Sequence, residues 1–160
     1  MAEQQKTTTT NAGLWLDKFI REQSREDTLT RNQHVREVAE ISHSDAYKHW
    51  YARWQQTLQQ YDAECREAEV KGRMVIGLGG GGVLETSVTL HRIYGVPYIP
   101  GSALKGLAAS FVRQHLGEEW QQDNIAFRVV FGDTQTAGCV TFFDALPVPN
   151  SGKLHPDIIT

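Results

Sequence analysis

The spacing of apolar positions changes near the middle of the chain. Upstream they recur every three or four residues, the helical period. Leu14, Trp15 and Phe19 predict a short helix over Gly13–Arg21, after which Glu22–Gln33 is polar and charged. Ala46, Trp50, Trp54, Leu58, Tyr61, Cys65 and Ala68 form one stripe and predict a long helix from Ser44 to Val70. Ser44 or Asp45 can cap it and Gly72 can end it. A stripe confined to one face marks packing against a core, so the tryptophans are assigned to packing in preference to base stacking.

After Gly72 the period falls to about two, which marks extended chain. Arg73–Ile76 is expected to be a strand and Thr86–Leu90 a second extended piece. A helix is predicted from Ser102, as its N-cap, to Leu116, with Gly117 ending it. A short helix over Asn124–Phe131, capped near Asp123 and stopped by Gly132, precedes a strand at Gly138–Leu146. In that strand Val140, Phe142 and Ala145 or Phe143 supply the apolar faces, and Pro147 and Pro149 end it. Mixed elements in this order suit an α+β class, with helices on one face of a sheet. The chain divides into a tail at 1–12, a helical segment at 13–71 and an α+β domain at 72–160.

The 160 residues suit one domain with an appendage, and 40% hydrophobic against 22% charged residues is enough for a core. No apolar run approaches the ~18–20 residues of a membrane span. Met1–Asn11 lacks the apolar segment of a secretory signal and is expected to be a disordered tail. Cys65 and Cys139 match no metal or redox spacing, which implies a reduced, cytoplasmic setting. The formal net charge of −3 speaks against nucleic acid until its distribution is considered. Residues 71–115 carry Lys71, Arg73, Arg92, Lys105 and Arg113 against Glu85 alone, so a basic face can sit on an acidic chain.

Candidate chemistry concentrates in that basic stretch. Pro97 and Pro100 stiffen the approach to Gly101-Ser102, where a helix start with Lys105 one turn inside could hold a phosphate. Gly77-Leu78-Gly79-Gly80-Gly81-Gly82 satisfies G-x-G-x-x-G, yet the extended run after it and the absence of a following Lys-Ser/Thr argue against dinucleotide and Walker loops. Two roles remain for the glycines, a flexible turn or a loop whose bare backbone approaches RNA. His91 beside Arg92 could act as a general base in metal-free RNA cleavage, or could serve only the loop backbone. Asp133 and Asp144 are expected as turn and cap residues in preference to a magnesium pair. His34, His43, His49, His115 and His155 show no ligand spacing, so neither metal nor cofactor is expected.

The glycine run, Leu84-Glu85-Thr86, the stretch Leu90–Gly106, Phe131-Gly132-Asp133 and Gly138–Ala145 together resemble the RAMP superfamily, the repeat-associated proteins of type III CRISPR effector complexes. The likeness covers roughly residues 72–160 and is fullest to the sixth-subunit type of the type III-B (Cmr) complexes. Ala103 departs from the pattern, standing where many relatives carry a second serine. The resemblance implies a ferredoxin-like, RRM-related domain, incomplete at Thr160, whose unpaired sheet edge would favour self-association. It further implies a non-catalytic backbone subunit that contacts guide RNA towards its 3′ side and neighbours other Cmr-complex subunits. The residues placed at RNA on this basis are Gly79, Gly80, Gly81 and Gly82 by backbone approach, His91 and Arg92, and Gly101, Ser102, Lys105 and Arg113. The alternatives are a metal-independent endoribonuclease using His91 and a nucleotide-binding regulatory module using the glycine run.

Overall fold

The computed structural model describes residues 6–7, 9–20, 28–79 and 87–157. They carry five α-helices: α1 (Ala12–Lys18), α2 (Thr28–Ala39), α3 (Asp45–Gln60), α4 (Gly101–His115) and α5 (Ile125–Phe131), with a 3-10 turn at Glu118–Trp120. By density of contacts the chain forms two units, one of residues 1–98 with 146–160 and the other of Ile99–Ala145.

In the first unit the helix starts follow capping chemistry. Asn11 Oδ1 accepts the Leu14 N–H at 2.9 Å and caps α1, while its Nδ2 donates to the carbonyls of Arg92 and Ile93 at 3.1 and 2.8 Å. One side chain thus starts a helix and ties it to a turn far along the sequence. Gly95, in that turn, has φ +65°, and a Cβ there would run into the Ala12 nitrogen and Asn11 Oδ1. Both the conformation and the close approach require glycine. Trp15 and Val38 pack together with Ala12, joining α1 to α2, and Phe19 stacks on Trp15 at 5.0 Å. Helix α2 begins within Glu22–Gln33, the stretch expected to be merely polar, and runs six residues past it. Its sequence buries only His34 and Val38, too few apolar positions to mark a period. Buried His34 donates through Nε2 to the Leu16 carbonyl at 3.2 Å.

Helix α3 starts at its expected cap, with Ser44 Oγ accepting the Tyr47 N–H at 3.3 Å. It stops at Gln60, ten residues before the expected end at Val70. Asp62 adopts φ +50°, the Ala63 N–H reaches back to the Leu58 carbonyl at 3.0 Å, and the Asp62 N–H to that of Gln59 at 3.2 Å. These two bonds are a Schellman closure with aspartate in the left-handed position. Tyr61, Cys65 and Ala68, the last members of the expected stripe, are therefore off the helix and exposed. The buried face consists of Tyr47, Tyr51 and Leu58, with Trp50 and Trp54 half-buried along its margin.

The expected strands are not formed among the described residues. Extended chain needs a neighbour to become a strand, and here pairing is confined to isolated antiparallel bridges: Leu90 with Pro97, Ile99 with Ala145, and Gly132 with Ala137. Residues 73–76 keep one backbone contact, from the Thr89 N–H to the Ile76 carbonyl at 2.7 Å, and Met74 and Val75 are exposed. Gly138–Leu146 makes two, one at Ile99–Ala145 and one from the Cys139 N–H to the Val129 carbonyl at 2.8 Å. Thr86, at the start of the second extended piece, lies outside the described residues, as does most of Met1–Asn11. Lys6, within that tail, donates to the Glu37 carbonyl at 3.0 Å and pairs with Glu40.

The second unit is built around α4 and α5. Phe127 and Phe131 are buried, lie 4.8 Å apart, and Phe142 stacks on Phe131 at 5.9 Å. Much apolar surface stays outside: Leu107 and Phe111 on α4 are 69% and 56% exposed, and Ile125 on α5 is 79% exposed. No described helix is long and apolar enough to cross a membrane.

Candidate nucleic-acid interface

In the first unit the candidate residues sit on and beside the turn at 91–95. The His91 N–H donates to the Val96 carbonyl and the Gly95 N–H to the His91 carbonyl, each at 2.7 Å, so the turn is closed by its own backbone. His91 Nδ1 accepts the N–H groups of Ile93 and Tyr94 at 3.3 and 3.4 Å. The imidazole therefore serves the loop, as the structural alternative anticipated, and Nε2 is the nitrogen left for other partners. Arg92 points to solvent and has no ion pair among the described residues.

The sequence did not disclose what surrounds His91. Its ring lies 5.4 Å from Trp50, 5.0 Å from Tyr94 and 6.0 Å from Tyr98. Trp50 lies 4.9 Å from Tyr94 and is stacked with Trp54 at 6.2 Å and 22°. At the base of this group Tyr47 is fully buried and donates its hydroxyl to the Pro147 carbonyl. Burial pushes the Tyr47 phenol well above its ordinary range, with Tyr51 adding to it. Burial also raises Tyr51, with contributions from Glu67 and Cys65. The rings come from two stretches far apart in sequence, 47–54 and 91–98, so no local spacing could have announced the cluster.

Of the glycine run, Gly79 is exposed in a turn after Leu78, and Gly80, Gly81 and Gly82 lie outside the described residues. A cleft of about 450 Å³ in the same unit is lined by Ile41, His43, Gly95, Pro97, Asn150 and Lys153, among others. His43 Nδ1 accepts the Asn150 N–H there at 3.2 Å, and burial, then Lys48, lowers the pKa of His43. None of the residues placed at RNA from the sequence lines that cleft.

In the second unit the start of α4 differs from its expected form. The N-cap is Pro100, Gly101 is the first helical residue, and Ser102 provides no capping bond. The cap is supplied from a distance: the Gly101 N–H donates to Asp144 Oδ1 at 2.7 Å across 43 positions. The Ala103 and Leu104 N–H groups turn back to the Pro100 carbonyl at 2.9 and 3.1 Å. Asp144 thus brings its own negative charge to the positive end of the helix, where a phosphate was expected. Gly101 is buried, and a Cβ on it would run into the Phe142 carbonyl, so its missing side chain serves internal packing. Ser102 is exposed, and Lys105, half-buried one turn in, has no ion pair among the described residues. Arg113 is engaged locally, with its guanidinium 5.8 Å from the Phe127 ring centroid and Nη1 donating to Gln122 Oε1 at 3.5 Å.

Asp133 and Asp144 have the turn and cap roles expected of them. Asp133 Oδ1 accepts from the N–H groups of Gln135 and Thr136 at 2.8 and 2.7 Å and from Thr136 Oγ1 at 3.0 Å, while Oδ2 meets Arg128 Nε at 2.7 Å. The backbone bonds from Gln135 and Thr136, then the Thr136 hydroxyl, and finally Arg128, hold its pKa down to about 2. Among the described residues no three His, Cys, Asp or Glu side chains gather in a group that could hold a metal ion.

Comparison with known proteins fits this geometry to a family. The CRISPR system Cmr subunit Cmr6 of Pyrococcus furiosus is 39% identical over 80 residues, which cover 50% of this chain and 24% of that protein. The protein of the same name from Saccharolobus solfataricus is 30% identical over 98 residues, covering 59% of this chain and 32% of its own length. The matched part is thus about a quarter to a third of these relatives. The family description "RAMP superfamily" matches residues 67–158, more than half of the chain and all of the 91–95 turn, α4, α5 and the Asp144 cap, so the chain belongs to the RAMP superfamily.

Proposed function

We propose that this chain is an RNA-binding, non-catalytic part of the backbone of a cytoplasmic type III-B (Cmr) CRISPR ribonucleoprotein. Its partners are guide RNA, contacted near the 3′ side, and neighbouring Cmr-complex subunits, in antiviral defence. RAMP domains are ferredoxin-like in general, and that arrangement is the finer fold assigned to residues 72–160. The names of the relatives support the complex. The apolar side chains left outside on α4 and α5, Leu107, Phe111 and Ile125, support subunit contacts there.

One observation carries the RNA reading. Residues 86–115 contain Arg92, Lys105 and Arg113 and no acidic residue at all, and Arg92 and Lys105 have no carboxylate partner among the described residues. Several cations elsewhere are paired, as in Lys48–Asp45, Arg66–Glu64, Arg73–Asp157 and Arg128–Asp133. Unneutralised cations fit a phosphate backbone. The test is a titration of single-stranded RNA at several salt concentrations. Arg92→Ala and Lys105→Ala should each weaken binding independently of base sequence and reduce the slope of log K against log[salt] by about 0.7. Unchanged slopes for both variants would overturn the reading. Cleavage of the RNA in EDTA, abolished by His91→Ala, would replace it with the endoribonuclease alternative.

A further inference from the structure

We propose that Trp54, at the outer end of the Trp50–Trp54 stack, seats an unpaired nucleobase, with Arg53 and Arg92, the sequence neighbours of Trp54 and His91, as the cations for its phosphates. This rests on the RNA reading above and adds to it a base-contacting position on α3, outside the residues matched to the family.

Burial is uneven along this side of α3, where Leu58 beyond Trp54 is again buried at 5%. Tyr47 is 0% exposed and Tyr51 8%, whereas Trp50 and Trp54 are only half-buried. A partly exposed indole keeps a large flat apolar surface within reach of a further ring. Here the two indoles are the members left partly in solvent. Trp50 is flanked by Tyr47, His91, Tyr94 and Trp54. Among the described residues Trp54 has ring neighbours only in Trp50 and Tyr51, so it terminates the stack. The near-parallel 22° arrangement with Trp50 is the one that a further flat ring would continue.

Charge selects the kind of flat ring. Arg53 adjoins Trp54 on α3, Arg92 adjoins His91 in the turn, and both are exposed without an ion pair among the described residues. Aromatic faces beside unpaired cations match single-stranded nucleic acid, whose bases stack while its phosphates need positive charge. A protein partner's apolar segment would use the rings and gain nothing from the arginines.

The test uses the whole chain and two probes, an oligouridylate and an abasic oligomer with the same number of phosphates. The abasic oligomer should bind about five- to a hundredfold more weakly, the range that loss of one base–aromatic stack implies. Trp54→Leu should bring oligouridylate binding down towards the abasic level and leave abasic binding unchanged, while Trp54→Phe keeps part of the difference. Equal binding of the two probes by the wild-type chain would overturn the stacking proposal while the phosphate reading stands. A base-dependent difference that survives Trp54→Leu would place the stack elsewhere and overturn it too. If neither probe binds, both readings fall together.

Discussion

The two units of this chain reach order by opposite routes. In residues 1–98 with 146–160, stability is concentrated in side chains brought from distant segments: Tyr47 and Tyr51 from α3, Val96 from the turn, and Leu146 packed against them. In Ile99–Ala145, order rests heavily on single hydrogen-bonded polar residues, Asp144 at the start of α4 and Asp133 in the turn after α5, around a small phenylalanine group. The first route resists loss of a polar group and fails on loss of a ring. The second has less buried apolar surface to lose and depends more on each cap. It also leaves Leu107, Phe111 and Ile125 outside, a surface suited to partners.

The largest expected effect is therefore at Tyr47. Replacing a fully buried aromatic with alanine costs about 3–5 kcal/mol, and Tyr47→Ala also leaves the Pro147 carbonyl without its donor. Tyr47→Phe separates the terms, since it removes only the hydroxyl and should cost about 1 kcal/mol. Urea denaturation of the two variants measures both. Equal losses would mean that the hydrogen bond, and not the ring, holds the first unit.

Gly101→Val comes next. Its Cβ would meet the Phe142 carbonyl, and overpacking of this kind costs about 1–3 kcal/mol. The loss should appear in the thermal melt of the free protein, with no RNA present. A variant as stable as the wild type would return Gly101 to the role that the sequence suggested, close approach to a ligand.

Gly101 also shows where sequence reading reached its limit. The helix was legible from its period, and α4 starts two residues before the expected position, with Pro100 as its N-cap in place of Ser102. Helices α1 and α5 were legible for the same reason, because period and caps are local. The meaning of Gly101 was not, because it depends on Phe142 and Asp144, some forty positions away. The same holds for His91, whose ring neighbour Trp50 lies some forty positions away on α3. Helix α2 was missed because polar residues mark no period, and the end of α3 because Asp62 takes a conformation more often given to glycine. Strands were expected from alternation alone, yet alternation states a capacity for pairing and says nothing of whether a partner is present.

A sharper comparison comes from two substitutions at the start of α4. Asp144→Ala removes the observed cap and should cost about 1 kcal/mol. Ser102→Ala removes an exposed hydroxyl with no capping bond and should stay within about 0.5 kcal/mol of the wild type. The reverse order would show that the helix is capped by its own sequence neighbour.

The smallest effect concerns Asp133, and it appears only in acid. Its folded pKa of about 2 lies below the ordinary carboxylate value of 3.8, because the N–H groups of Gln135 and Thr136 and then the Thr136 hydroxyl bind the charged form. A depressed pKa means that the unfolded chain takes up the proton first as pH falls. The stabilisation from Asp133 is thus complete above about pH 4, declines as pH falls through the interval down to about 2, and is absent below it. Asp133→Asn should be less stable than the wild type near neutrality, and the gap should close across that interval. Denaturation midpoints for both proteins over the acid range give the comparison directly. A gap that stays constant with pH would assign the role of Asp133 to turn geometry, which asparagine could not reproduce, and would remove its charge from the account of how the second unit is held.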